Sequence, residues 1–265
     1  TTNGSNVYKD FVPETDSTVV ERLKNAGAIL LGKLNLSELA MGGTQNPPWG
    51  IPANPWDLER TPGESSSGSG VALSAHLCAA SVGEDTGGSG RGPAAYCGVV
   101  GMRPTFTRVS RFGMTHMCWF MDTAAPMTKT VEDCAKVLGA IAGYDPKDPY
   151  SSRKDVPDYT QELNQGVKGL RIAVIRELCN NKDMDPDVRS SIGNAMNVFQ
   201  RLGAEIKEVS IPLVELAGAI FVGIADTEGA GARDEILRNR PFDLDPATRT
   251  RLQSAALVPH KIYNR

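Results

Sequence analysis

Residues 61–93 read TPGESSSGSGVALSAHLCAASVGEDTGGSGRGP: two serine- and glycine-rich segments, 61–70 and 83–93, separated by one apolar stretch. The spacing predicts a helix over 71–80, which at 1.5 Å rise per residue runs only ~15 Å before the chain returns through 81–84. The two segments can therefore face one another. In the second, Gly87 and Gly88 remove side chains just before Ser89, so successive N–H groups can converge and hold a developing negative oxygen. Ser89 is placed to attack an acyl carbon. Gly/Ser clusters also make ordinary turns, and the residues alone support an α/β protein with a glycine-shaped anion or oxyanion site. A dinucleotide loop fits less well: residues 90–95 spell GxGxxA, but Pro93 interrupts it and no acidic residue follows about twenty positions on. A GxSxG elbow is absent, because Gly90 and Arg91 follow the serine.

Outward from this stretch the pattern is regular. Asp16 and Ser17 are placed to cap a helix whose apolar positions Val19, Val20 and Leu23 share one face, with Gly27 to end it. Residues 28–31 then read as a short buried strand. The run LRIAVI (170–175) predicts a strand, 185–202 a helix with Pro186 in its first turn and Gly203 after it, and 204–209 another strand. Such alternation predicts an α/β sheet. Residues 97–100 are a short apolar insert, and 143–160 (GYDPKDPYSSRKDVPDYT) read as a surface crossover. The longest apolar run, 216–225, is about half of the ~20 residues a membrane span needs and reads as core.

Composition narrows the function classes. With 40% hydrophobic and 22% charged residues the chain is an ordinary globular protein, and a net charge of −3 offers no general attraction for nucleic acid or an anionic membrane. Five widely spaced cysteines, no CxxC and no basic leader point to reduced thiols in a cytoplasmic protein. His76, His116 and His260 lie far apart without metal-ligand spacing, so no metal or cofactor is expected, and none is obviously placed as the base for Ser89.

Together the two segments resemble the amidase signature, PGGSSxGS followed by D[TI]GGSIRxPxxxCGxxGxKPT. This chain has PGESSSGSG and DTGGSGRGPAAYCGVVGMRPT, and the likeness continues upstream through AGAILLGKLNLSELAMGG and downstream through MDTAAPMTKTVEDCA. The resemblance implies an α/β fold with a large mixed twisted sheet covered by helices on both faces, a single domain over 1–265 that is incomplete at both ends, and a Ser-cisSer-Lys triad. Ser89 matches the nucleophile. Ser65 matches the bridging serine, whose preceding peptide bond is cis in that family. Thr86, Gly87, Gly88 and Ser89 match the oxyanion N–H donors, Ser66 and Asp85 match loop supports, and Arg91 matches a residue that braces the sheet edge. Met41, Gly42 and Trp119 are implied pocket residues, with Met114, Met117 and Met121 beside the last.

The family's lysine lies in a VKDN-like segment before a TTNGS string, which here occupies residues 1–5, so that lysine is not among these residues. Neither Lys9 nor Lys33 matches it. Beside the two serines, Glu64 stands for a glycine and Gly90 for an isoleucine. The function implied is hydrolysis of a carboxamide C–N bond through a serine acyl-enzyme. The partners implied are a small-molecule amide and, in solution, a homodimer. Two alternatives remain open: a catalytically inactive amidase-fold subunit, and the amidase subunit of a glutamine-dependent amidotransferase.

Overall fold

The computed structural model describes residues 1–41, 48–179 and 181–263. They divide into two compact units, 1–160 with 222–265, and 161–221. The boundary falls at the C-terminal end of the 143–160 stretch.

In the larger unit, helix α1 (Thr18–Asn25) starts where Ser17 Oγ accepts the Val20 N–H at 3.4 Å, and Gly27, at φ 87°, ends the helical run. Helix α2 (Ser67–Ser74) begins inside the first serine segment, four residues before the expected start, and ends six residues before the expected end; strand β1 (Ala80–Glu84) begins at the last residue of the expected helix. Tertiary packing explains the shift. A Cβ at Gly68 would stand 2.6 Å from the backbone of Asn35, and one at Gly70 would stand 2.8 Å from the Pro93 carbonyl, so these glycines let α2 lie directly on its neighbours. Helix α3 (Arg91–Tyr96) follows the second segment, and strands β2 (Val100–Gly101) and β3 (Ala124–Thr128) complete an antiparallel sheet in the order β1-β3-β2. Central β3 is buried along its whole length, with Ala80 opposite Thr128 and Glu84 opposite Ala124.

Helix α4 (Val131–Ile141) is capped by Thr130 and turns Cys134, Leu138 and Ile141 inward at helical spacing. Leu138 and Ile141 pack with Val19, Val109 and Ala124, and each such side chain contributes roughly 1.5–3 kcal/mol by leaving water. Arg22 of α1 donates to the carbonyls of Ile141, Gly143 and Tyr144, which satisfies the open end of α4. A second cluster, Leu73, Ala94 and Met127, joins α2, α3 and β3 directly behind the two serine segments.

The expected strand at 28–31 does not form. Ile29 is 85% exposed, and among the described residues the segment pairs with no strand. An extended run becomes a strand only beside a partner edge, and its apolar sequence cannot supply one.

In the smaller unit the two strands and the long helix form where the sequence predicts them, but the 216–225 run expected as core leaves Leu216, Ile220 and Val222 about half exposed. Strand β4 (Arg171–Ile175) and the short helix α5 (Arg176–Cys179) lead to α6 (Pro186–Arg201), which Asp185 caps and Pro186 opens. Strand β5 (Glu205–Val209) lies parallel to β4, Arg171 opposite Glu205. Ile192, Met196 and Phe199 are the half-buried positions of α6 and fall on one face. Helix α7 (Ala217–Gly231) begins in this unit, and its portion from Val222 belongs to the larger one. The larger unit ends with α8 (Asp234–Asn239), α9 (Pro246–Ala255) and α10 (His260–Tyr263). No described helix is long and apolar enough to cross a membrane.

Candidate active site

The two serine segments meet through their backbones. The Ser66 N–H donates to the Ser89 carbonyl at 3.1 Å, and the Ser37 N–H donates to the Ser65 carbonyl at 3.1 Å. The Glu64–Ser65 peptide is cis. Ser65 is 2% exposed, and its hydroxyl has no hydrogen-bond partner among the described residues. Such groups are uncommon in native interiors, since an unmet buried donor costs ~1–3 kcal/mol. Ser66 accounts for its own hydroxyl: it accepts the Glu84 N–H at 3.1 Å and donates to the Glu84 carbonyl at 3.2 Å. One side chain thus fastens the start of α2 to the end of β1.

Asp85, fully buried, organises the turn that carries Ser89. Its Oδ1 accepts the Gly88 N–H at 2.9 Å, and its Oδ2 accepts those of Gly90 at 3.3 Å and Arg91 at 3.1 Å. Arg91 adds Nε at 2.9 Å and Nη2 at 3.0 Å, turning its guanidinium onto this carboxylate. Burial alone would raise the Asp85 pKa, but the Arg91 side-chain and backbone hydrogen bonds outweigh it and hold the carboxyl below the ordinary aspartate value. The Gly88 N–H is therefore committed to Asp85. Thr86, Gly87 and Ser89 have N–H groups that bond to no described residue.

Gly90 has a physical reason as well. A Cβ there would stand 2.6 Å from the Ala125 Cβ of β3, so the position after Ser89 admits no side chain without moving the sheet. Glu64, the other departure, is exposed.

Of the expected pocket residues, Met41 and Trp119, with Met117, lie against α7 around Glu228 and Gly229. Trp119 is half-exposed and stacks on His116 with ring centroids 4.1 Å apart, while its main-chain N–H donates to Glu228 at 2.6 Å. Met41 is buried and its carbonyl accepts from Arg251. Gly42 lies outside the described residues. Met117 is buried, and Met114 packs against the core cluster around Val19. A cavity of about 370 Å³ lies elsewhere, lined by Gly4, Lys9, Glu38, Arg240 and Phe242 among others. Among the described residues no group of three His, Cys, Asp or Glu side chains is arranged to hold a metal.

Sequence reasoning missed Glu84 and Asp122. Asp122 is fully buried and accepts the Met117 N–H at 2.8 Å and the Cys118 N–H at 3.0 Å. It also accepts the Thr86 hydroxyl at 2.6 Å, a contact between residues 36 positions apart that no local pattern announces.

Comparison with known proteins identifies the family and the fold. A family model described as Amidase matches residues 1–261. A glutamyl-tRNA(Gln) amidotransferase subunit of Syntrophobacter fumaroxidans is 48% identical over 231 residues, covering 87% of this chain and 47% of that protein. Its namesake from Desulfatibacillum aliphaticivorans is 41% identical over 262 residues, 94% of this chain and 54% of that one. The chain spans about half the length of the curated relatives it matches. Among solved structures, one described as an unexpected vestigial protein complex revealing the evolutionary origins of an s-triazine catabolic enzyme superposes with a TM-score of 0.93 at 37% identity, over 100% of this chain and 57% of that one. The glutamyl-tRNA(Gln) amidotransferase subunit of the same name from Thermotoga maritima gives 0.83 at 36% identity, over 96% and 58%. The α/β architecture is thus the amidase signature fold, and the chain belongs to the amidase family.

Proposed function

We propose that the chain is the portion of an amide hydrolase that carries the nucleophile and its relay, within one amidase domain over 1–265. Ser89 Oγ attacks the carboxamide carbon and passes its proton to Ser65, and from there to the lysine that the family likeness implies in the complete protein. The oxygen of the tetrahedral intermediate is held by the N–H groups of Thr86, Gly87 and Ser89, which the Asp85 carboxylate leaves free by taking those of Gly88, Gly90 and Arg91. The C–N bond then breaks, the leaving nitrogen takes the proton, and water releases the acid from Ser89. One observation carries this reading: the Ser66–Ser89 hydrogen bond joins the Ser89 turn to the residue next to Ser65, whose buried hydroxyl has no hydrogen-bond partner among the described residues.

A second reading keeps the same chemistry and changes the fate of the ammonia. The names of the relatives, at 41% and 48% identity, favour an amidotransferase subunit that hands it to a partner. In the complete protein, a fluorophosphonate reagent is expected to label Ser89; Ser89→Ala abolishes the label and Ser65→Ala slows it at least a hundredfold, about 2.7 kcal/mol of activation. Label that survives Ser89→Ala rules the reading out. Co-purification with partner subunits, and glutamine-dependent ammonia release that those subunits capture, selects the second reading.

A further inference from the structure

Between β1 and the loop before β3 lies a buried polar chain that the acyl-transfer steps leave unused. Thr86 Oγ lies within hydrogen-bonding distance of Glu84 Oε1 and, at 2.6 Å, of Asp122 Oδ1. A hydroxyl has one hydrogen, so it donates to one of these carboxyls and accepts from the other. One carboxyl must therefore carry a proton.

Asp122 is the anion of the two. Its oxygens accept the Met117 and Cys118 N–H groups, and His116 Nδ1 stands 3.5 Å away. Glu84 Oε2, by contrast, is buried with no hydrogen-bond partner among the described residues, a position that a bare carboxylate does not tolerate. The proton belongs on Glu84, which donates from Oε1 to Thr86 Oγ while Thr86 donates to Asp122. The surrounding charges agree. Burial first, and then the facing charge of Asp122, push the Glu84 carboxyl up to about 8; Asp85 adds to this, and Thr86 and Arg103 oppose it. Arg233 faces both Glu84 and Asp122 and donates to the His116 carbonyl. Because the Ser66 hydroxyl holds the Glu84 backbone, this one residue touches both serine segments.

We infer that neutral Glu84 is a positioning residue: through Thr86 Oγ it locks the 86–89 turn against the Asp122 loop and so aims the N–H groups at the oxygen formed on attack by Ser89. Loss of its proton sets two carboxylates against a single hydroxyl and loosens that turn. The inference rests on the reading of Ser89 as nucleophile.

The test uses the complete protein and the rate of fluorophosphonate labelling against pH. In the wild type the rate is expected to fall with up to a tenfold slope per pH unit above about pH 8. In Glu84→Gln, whose amide donates to Thr86 at every pH, the ratio of the rate at about pH 9.5 to that at about pH 7 rises at least tenfold over the wild-type ratio. Thr86→Val removes the shared hydroxyl and flattens the profile in the same way. An alkaline fall that persists unchanged in both variants overturns the inference. Infrared spectra of wild-type protein with 13C-labelled glutamate give a readout that needs no variant to fold. The isotope-shifted C=O band of a protonated carboxyl is present at about pH 7 and fades toward about pH 9.5; absence of that band at neutral pH also overturns the inference. Label retained in Ser89→Ala overturns the nucleophile reading instead, so the two failures are distinct.

Discussion

Replacing Asp85 by Asn tests how the turn around Ser89 is held. The carboxylate is fully buried and accepts three backbone N–H groups, from Gly88, Gly90 and Arg91, beside the Arg91 guanidinium. An amide of the same shape keeps one oxygen and turns an NH₂ toward the donors on the other side, so at least one main-chain N–H loses its acceptor. Charge-assisted bonds contribute about 1.5–3 kcal/mol each, and removing one partner of a buried ionic group costs about 3–5 kcal/mol. Arg91 is 51% exposed, so its share is small, about 1 kcal/mol or less. Asp85→Asn is therefore expected to lower unfolding stability by roughly 3–5 kcal/mol near neutral pH, and Arg91→Ala by about 1 kcal/mol. Urea unfolding of the two variants against wild type measures both. The sign with pH is fixed too. Because the folded Asp85 pKa lies below its ordinary value of 3.8, its contribution is complete above that pH and is lost as pH falls through the folded value. The gap between wild type and Asp85→Asn should close in acid. A neutral-pH loss below about 1 kcal/mol, or an Arg91→Ala loss as large as that of Asp85→Asn, would refute the assignment of the turn to this carboxylate.

Two glycines near Ser89 should respond in opposite directions to alanine. Gly90→Ala places a methyl 2.6 Å from Ala125 and is expected to cost about 1–3 kcal/mol; Gly92→Ala, whose Cβ meets only the Glu64 carbonyl at 3.6 Å inside α3, should be neutral or stabilising by up to ~1 kcal/mol. Equal losses in thermal unfolding would count against this packing. For Glu84, the native state keeps a proton that the unfolded chain releases above its ordinary value of 4.5, so stability falls as pH rises from there to about 8. The slope from this group is up to about 1.4 kcal/mol per pH unit, and Glu84→Gln should remove it from a pH series of urea midpoints.

What the sequence disclosed is what near neighbours decide. Helices α1 and α6 were readable because Ser17, Asp185 and Pro186 make their own first turns, and β4 and β5 because each is a short run between turn residues. Helix α2 departs from its expected position because its glycines answer to Asn35 and Pro93, not to helix propensity. Strand β3 gave no signal: Pro126 sits in the middle of AAPMT, a residue that argues against a central strand. The pairing of the two serine segments is legible from the short run of chain between them. The Glu84–Thr86–Asp122 chain is not, since two of its members meet only after β1 and β3 have aligned.

The Ser66 side chain has a dynamic consequence. With the Ser66 main-chain N–H on the Ser89 carbonyl and the Ser66 hydroxyl on both main-chain groups of Glu84, the start of α2 and the Ser89 turn are tied together. Opening of either segment therefore disturbs the other, and hydrogen exchange of the two is expected to be coupled.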